Sequence, residues 1–462
     1  MKKKSFLFIV FGVFFTLIAG TIDLGFLFNY ASQNIPSYII QDNTAQNPIT
    51  NEGATLGRVL FYDKNLSSDN STACASCHQQ EFAFGDSSSV SQGVNGFTER
   101  HSMRIINPRF QPQPTYFWDV RADSLEALAT MPIKNHIEMG FSGTNGDLSF
   151  NDLLLKLDTI DYYNHLFNKA YGDTLITEHL IQKALAQFMR SIQSFDSKYD
   201  TGLAMTNSPF VDFPNFSLEE NQGKSLFLSN GCNVCHVAPE FHTDTNHFNN
   251  GVITVFGLPG EIDTSVSRSA TLRDLINPNG QPNGPMMHNG SFMTLMDVID
   301  HYDSIPDDPE NTNLSPFLNN FGGPGTQELN LTLSEKNAII AFLKTLTGNN
   351  VYSNPIWSTP FDSQGNLNII NSSLSVSNQS NSPSLQLYPN PASNGFTIQT
   401  NNKKLLITIL SSVGEQVNQI QSSRLTPFTT IDVSTYSEGI YFVKIEAQET
   451  SFIQVKQLVI RH

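Results

Sequence analysis

The stretch "STACASCHQQ" (71–80) sets Cys74 and Cys77 three positions apart, with His78 directly behind the second thiol. "GCNVCH" (231–236) repeats the arrangement with Cys232, Cys235 and His236, and these four are all the cysteines of the chain. Three chemistries use paired thiols. A disulfide framework suits an exported chain, and four cysteines allow three pairings. A four-thiolate zinc site needs both pairs brought to one point. Covalent attachment of a c-type haem needs two thiols for the vinyl groups of the porphyrin and a histidine just behind them for the iron. Zinc accounts for the pairs but not for His78 and His236. Disulfides account for export but not for the spacing. The residues favour two covalently bound c-type haems, one per motif, over the other two readings.

Elements must position these motifs. Cys74 and Cys232 lie 158 positions apart, room for one domain around each. The sequence between and after them reads as helix. "TEHLIQKALAQFMRSIQSF" (177–195) places Leu180, Ile181, Ala184, Leu185, Phe188, Met189 and Ile192 at helical spacing behind Thr177 as N-cap. "SLEENQGKSLFLSNG" (217–231) opens with Ser217 and Glu220 as a capping box and runs into the second motif. "LSEKNAIIAFLKTLTG" (333–348) predicts a helix capped by Ser334 and ending at Gly348. Residues 349–384 are rich in Ser and Asn and read as a linker. From 385 to 462, alternating apolar residues and Gly/Asn/Pro turns predict a small antiparallel sandwich. That segment holds no Cys, and no His before His462, so the chemistry lies upstream. The fold class expected is mainly α. Two cytochrome c-like haem domains, 45–205 and 206–348, precede the linker and an all-β C-terminal domain.

Bulk properties narrow the function. The 462 residues carry 42 acidic and 26 basic side chains, a net charge of −16, which argues against nucleic acid and anionic membrane surfaces as partners. Three lysines and an apolar run from Phe6 to about Ala19 read as a secretory signal or N-terminal anchor, assigned to residues 1–28. Either one places the folded part outside the cytoplasm, where c-type haem is attached.

Beyond the haem motifs, residues 45–348 resemble the dihaem cytochrome c peroxidases and their relative MauG. The resemblance rests on "LGRVLFYDKNLSSDNSTACASCHQQEFAFGD" (56–86), "YFWDVRADSLEALATMPIKNHIEMG" (116–140) and "SRSATLRDLINPNGQPNGPMMHNGSFMTLMDVIDHY" (267–302). Val120 stands where the family has Gly. "YPNP", "G-E-x-V", "S-E-G-I-Y-F-V-K-I" and "K-Q-L-V-I-R" in residues 385–462 resemble the C-terminal sorting domain of the type IX secretion system. That implies secretion machinery as a partner and a place in the periplasm, at the cell surface or outside the cell.

The peroxidase resemblance carries specific expectations. His78 and His236 are the proximal iron ligands, with Cys74, Cys77, Cys232 and Cys235 binding the cofactors. Tyr302, fourteen positions after His288, is the candidate sixth ligand of the second iron, with His301 and Met296 as lesser candidates. The family's distal histidine is absent, because Val94 or Asn95 falls at its place. His101 lies past that place and is expected at the interdomain seam, so the first iron is expected to have an open face. Glu138 is the expected catalytic acid–base, and Trp118 the indole between the haems. Asn283 and Pro285 are candidates for a calcium site. The implied function is reduction of hydrogen peroxide to water with electrons from a donor such as cytochrome c, and a second copy of the chain, as a homodimer, is a candidate partner. Two alternatives stand beside it: a MauG-like oxidase acting on a protein or small organic substrate, and a non-catalytic dihaem electron carrier.

Overall fold

The computed structural model describes residues 20–111, 115–242, 248–320, 324–372, 386–399, 405–411, 416–422, 428–447 and 453–462. The apolar run of the expected signal lies outside them. The chain divides into two compact units between Ser372 and Ser373.

The first unit is helical and has two cores. Helix α1 (Asn51–Tyr62) leads to the first motif, capped by Thr50, which accepts the Gly53 N–H at 2.9 Å. Helix α2 (Cys74–Cys77) is a single turn carrying the thiols. Helices α3 (Leu125–Thr130), α4 (Phe150–Asp158), α5 (Asp161–Tyr171) and α6 (Glu178–Ser191) complete this half. Helix α6 packs on α1 and α3. Its buried Ile181, Ala184, Leu185 and Phe188 recur at the helical period, as the sequence requires. Thr177 caps it by accepting the Leu180 N–H, but the helix stops at Ser191 because Ile192 turns extended.

The second half repeats this plan with α7 (Lys198–Thr206), α8 (Leu218–Ser229), α9 (Cys232–Cys235), α10 (Leu295–Asp303) and α11 (Leu333–Lys344). Helix α8 packs on α11, and α10 also meets α11. Aromatic rings fill this core: Tyr199, Phe213, Phe227, Phe241 and Phe342. Ser217 and Glu220 form the expected capping box on α8. Helix α11 is capped by Thr332 rather than Ser334. Its hydroxyl accepts the Glu335 N–H, and the Glu335 carboxylate returns to the Thr332 N–H at 2.8 Å. The helix ends at Lys344, short of Gly348.

Three boundaries differ from expectation, the first being the division at 205/206: Tyr199 and Leu203 of α7 pack in the second core, so the second half begins before Lys198. Strand β1 (Thr21–Asp23), the hairpin β2 (Gln92–Gly93) and β3 (Gly96–Phe97), and β4 (Asn368–Ile370) are the short strands of this unit, and β1 pairs in parallel with β4. Residues 20–28, assigned by sequence to the signal or anchor, therefore belong to the fold, and Ile22, Leu24 and the following Tyr30 are buried. Residues 349–372, assigned to the linker, also pack on the first core. Trp357 is buried and donates its indole N–H to Ser191 O at 3.0 Å, and Val351 is fully buried. The Ser/Asn-rich composition of the segment masked these few anchoring residues. The remainder of the expected linker, 373–385, lies outside the described residues.

The second unit pairs a sheet of order β11-β10-β7-β8 with one of order β5-β6-β9. The strands are β5 (Gln386–Tyr388), β6 (Gly395–Gln399), β7 (Leu405–Ser411), β8 (Gln416–Ser422), β9 (Phe428–Asp432), β10 (Gly439–Ala447) and β11 (Ile453–Ile460). Ile407 and Ile409, Val443 and Ile445, and Leu458 and Ile460 alternate into one core. Among the described residues no helix is long and apolar enough to cross a membrane.

One packing contact recurs in both halves. A Cβ on Gly57 of α1 would sit 2.0 Å from Ala184 O, and one on Gly223 of α8 would sit 1.8 Å from Ala338 O. Both helices that lead into a motif thus touch a later helix through bare backbone. Gly223→Ala gains about 0.5–1 kcal/mol of helix propensity. It forces apart a contact whose overpacking costs about 1–3 kcal/mol. The variant should melt below wild type in a calorimetric scan; an unchanged or higher Tm would contradict the contact.

Candidate functional site

Both motifs end in the same local device. Helix α2 stops at His78, whose backbone N–H returns to Cys74 O at 2.9 Å. The chain doubles back, Gln79 bridges to Gly85, and Ala83 and Phe84 take φ values of 55° and 58°. That turn aims the Phe84 carbonyl at His78, 3.0 Å from Nδ1. Helix α9 repeats it. Val237 bridges to His242, Phe241 has φ 56°, and its carbonyl lies 3.0 Å from His236 Nδ1. A ring nitrogen facing a carbonyl must carry the proton, so each neutral imidazole is left with a bare Nε2 lone pair. Burial lowers the proton affinity of both rings, pushing His236 down to about 4. The four thiols are free. Burial pushes Cys74 up to about 12 and Cys77 and Cys232 each up to about 11. The two pairs sit against separate cores, and among the described residues no cluster of three or more His, Cys, Asp or Glu could hold a metal ion.

Two cavities open onto the imidazoles. One of about 460 Å³ is lined by His78, Trp118 and Glu138. The other, of about 840 Å³, is lined by Cys232, Cys235, His236, Trp118 and Tyr302. Both sizes suit a cofactor.

In the first cavity the Glu138 backbone is fixed. Asn135 Oδ1 accepts the N–H groups of Ile137 and Glu138 at 2.8 and 3.1 Å. Burial raises the pKa of the Glu138 carboxyl against the opposing pull of Arg121. Val94 and Asn95 do not line the cavity. Their N–H groups donate to Glu138 O and Ile137 O, each at 3.1 Å, so the hairpin β2–β3 is clipped to the outside of the glutamate segment.

Trp118 lines both cavities. Its indole N–H donates to His101 O at 2.7 Å, and its ring meets His288 edge-on, with centroids 6.3 Å apart. His101 is buried at this seam, with Nδ1 2.9 Å from Ser88 O and its backbone N–H on His288 O at 2.8 Å.

In the second cavity Tyr302 presents its hydroxyl, which receives Asn250 Nδ2 at 3.3 Å; burial pushes the phenol up to about 12. His301 and Met296 do not line this cavity, and His301 Nε2 is 2.9 Å from Asn250 O. Met287, which the sequence reading passed over, does line it. Asn283 lines neither cavity. It donates to Asp274 O and Tyr352 OH, both at 2.8 Å, and keeps a buried Oδ1 without a partner, while Pro285 lines the second cavity.

The seam also holds groups the sequence reading missed. Arg104 and Arg268 line both cavities, and each has a buried Nε without a partner. Burial lowers both guanidinium pKa values, Arg268 to about 10. Buried His288, used in the sequence reading only to locate Tyr302, adds an unpartnered Nδ1 on the second cavity. Arg104 donates to Thr271 O at 3.3 Å and feels the Asp274 charge, and Arg268 donates to Thr115 O, so what each leaves open is one buried Nε–H that an anion would satisfy. A haem carries two carboxylates, needs two thiols for its vinyl groups, and takes a bare imidazole nitrogen on its iron. The residues fit it at both places. The signal for Arg268 and His288 was present in the 267–302 block but carried no meaning without the cavities.

Comparisons with known proteins agree. Residues 51–208 match the family described as di-haem cytochrome c peroxidase, and 386–461 match the secretion system C-terminal sorting domain. The chain is 30% identical over 312 residues to the methylamine utilization protein MauG of Methylophilus methylotrophus, covering 65% of this chain and 84% of that one. It is 27% identical over 348 residues to the cytochrome c551 peroxidase of Nitrosomonas europaea, covering 71% and 90%. A solved MauG-like protein associated with microbial copper homeostasis aligns with TM-score 0.57 and 26% identity, over 71% of this chain and 99% of that one.

Val120, in the turn that carries Trp118, has φ 55°. A β-branched residue is strained there, at a cost of about 1–2 kcal/mol. Val120→Gly relieves that strain and gives back about 0.5–1 kcal/mol as chain entropy. The variant should unfold at higher temperature than wild type; a lower midpoint would contradict the strained turn.

Proposed function

The chain belongs to the di-haem cytochrome c peroxidase family, and on that premise we propose that it reduces hydrogen peroxide at the first cavity with electrons delivered through the second. It is a peroxidase-type dihaem redox enzyme, and its sorting domain marks it for export. Cys74 and Cys77 would each bond one vinyl group of the first haem, and His78 Nε2 would ligate its iron. Cys232, Cys235 and His236 would do the same for the second. When bound, the first haem supplies an iron that exchanges two electrons with peroxide, and the second an iron that passes single electrons.

The observation that carries this reading is the asymmetry of the two cavities: one presents the Glu138 carboxyl, the other the Tyr302 hydroxyl. Splitting peroxide requires a proton taken from one oxygen and given to the other. Glu138, half-buried and with a raised pKa, is suited to hold that proton and return it. Trp118 spans both cavities with its ring pinned by His101 O, which supports an electron path between them. Tyr302 would ligate the second iron after losing its proton to solvent, since a metal ligand must be deprotonated. Asn283 Oδ1 and the backbone carbonyls near Pro285 are the hard oxygens a calcium ion would use. The net charge of −16 suits a basic one-electron donor such as a cytochrome c.

Tyr302 and the absence of a histidine from the β2–β3 hairpin support a second reading, MauG-like oxidation of a protein or small organic substrate. Haem-loaded protein with peroxide separates the two. Turnover of reduced cytochrome c assigns the peroxidase; inertness toward it together with oxidation of an organic or protein donor assigns the alternative.

Glu138→Gln should lower peroxide turnover by about 10²–10⁴-fold with the resting haem spectrum unchanged. Turnover within a few-fold of wild type would remove Glu138 from the reaction. Replacing a phenolate donor by a thioether raises a haem potential. Tyr302→Met should therefore raise the second midpoint in a potentiometric titration, and an unshifted midpoint would show that Tyr302 is not on the iron.

A further inference from the structure

The two carbonyls that hold the imidazoles are themselves connected. Phe84 O accepts both His78 Nδ1 and the Ile105 N–H, the latter at 3.2 Å. Phe241 O accepts both His236 Nδ1 and the Leu272 N–H, also at 3.2 Å. Two residues beyond Ile105, Asn107 is fully buried with φ 55°. Its side-chain amide is fully used. Oδ1 accepts the Ser194 N–H at 2.8 Å, while Nδ2 donates to Ser194 O at 3.2 Å and to Glu240 Oε2 at 2.8 Å. Glu240 immediately precedes Phe241. The Asn107–Glu240 hydrogen bond thus closes a continuous route from His78 to His236 across the two halves.

Glu240 is the surplus anion of this seam. Arg273, with no exposed side-chain surface, forms a two-pronged pair with Asp200 at 3.0 and 2.9 Å, and its Nε lies 3.8 Å from Glu240 Oε1. Tyr38 donates to Asp200 at 2.8 Å, and the buried Tyr199 phenol also feels the Glu240 charge. Arg273 therefore faces Asp200 and Glu240, with the adjacent buried Asp274 also in its field, and Asp200 already matches its charge. Glu240 Oε1 is buried with no hydrogen bond. Burial, reinforced by Asp200 and opposed by Arg273 and Asn107, pushes this carboxyl up to about 7. The backbone around it is held independently of its charge, because Arg273 donates to Pro239 O at 2.8 Å and Thr271 Oγ1 to Glu240 O at 2.7 Å.

We infer that Asn107 and Glu240 are positioning residues for electron transfer, and that Glu240 Oε1 would take a proton from solvent water when an electron is added at the iron that His236 would hold. The inference rests on His236 holding that iron. Each electron added there would be matched by one proton taken up at Glu240 and released to solvent when the electron leaves. The sign follows from charge. An added electron makes the surroundings one unit more negative and favours the neutral acid, so reduction raises the proton affinity of Glu240. By linkage the midpoint potential falls as pH rises through the range where Glu240 titrates.

The test is a spectroelectrochemical titration of the full-length holoprotein between about pH 6 and 8, bracketing the usual span of a group titrating near neutrality. The wild-type midpoint of the second haem should fall across this range. Glu240→Gln keeps the acceptor for Asn107 and should flatten the profile. Asn107→Gly keeps the left-handed backbone but removes a donor that favours the carboxylate, so its fall should move to higher pH. A wild-type slope in Glu240→Gln, or an unmoved profile in Asn107→Gly, overturns the inference while the haem reading stands. Absence of haemochrome absorbance in the wild type would overturn that reading, and this inference with it.

Discussion

The site depends on one hydrogen bond made twice: an imidazole Nδ1–H donated to the carbonyl of a phenylalanine held in the left-handed region. A bulky residue there costs about 1–2 kcal/mol, and the chain accepts that cost at both Phe84 and Phe241. In return the carbonyl points back at the ring instead of into a strand or helix ladder. That fixes the tautomer, orients the ring and turns a lone pair toward the cavity. Without it, CxxCH would be a thiol pair next to a freely rotating imidazole.

The shared device makes the two cavities alike on the histidine side, so their difference must come from what faces it. Helix α10 brings Tyr302 to the second cavity, while the segment after α3 brings Glu138 to the first. Between them lies a seam that Trp118, His101, Arg104 and Arg268 serve in common. Arg104 and Arg268 each keep one buried Nε–H without a partner, a donor that a porphyrin carboxylate would satisfy. Apart from this seam, the segment 349–372 braces the first core through buried Val351, Trp357 and Phe361.

Much of this was legible in the sequence wherever the signal was local. The spacing of Cys74, Cys77 and His78 and its repeat gave the cofactor. Thr177, Ser217 and Glu220 gave the helix starts, and alternation gave the sandwich. Signals that need three dimensions were not legible. Nothing near Phe84 or Phe241 announces positive φ, since neither is Gly or Asn. Asn107 and Glu240 lie 133 positions apart and meet only across the seam. Composition averaged over 349–384 concealed Val351, Trp357 and Phe361, because three large buried side chains outweigh many exposed serines in energy but not in number. The α11 cap was misplaced by two residues because Thr332 and Ser334 both precede an apolar run, and only the reciprocal bond with Glu335 distinguishes them.

The central claim is that each CxxCH holds its own porphyrin through thioether bonds, with the adjacent imidazole on the iron. Intact-mass measurement of the mature protein under denaturing conditions tests it most directly. The polypeptide should retain the mass of two haems after unfolding. A mass matching the bare polypeptide, or one that falls by two hydrogens per cysteine pair as disulfides form, would contradict it.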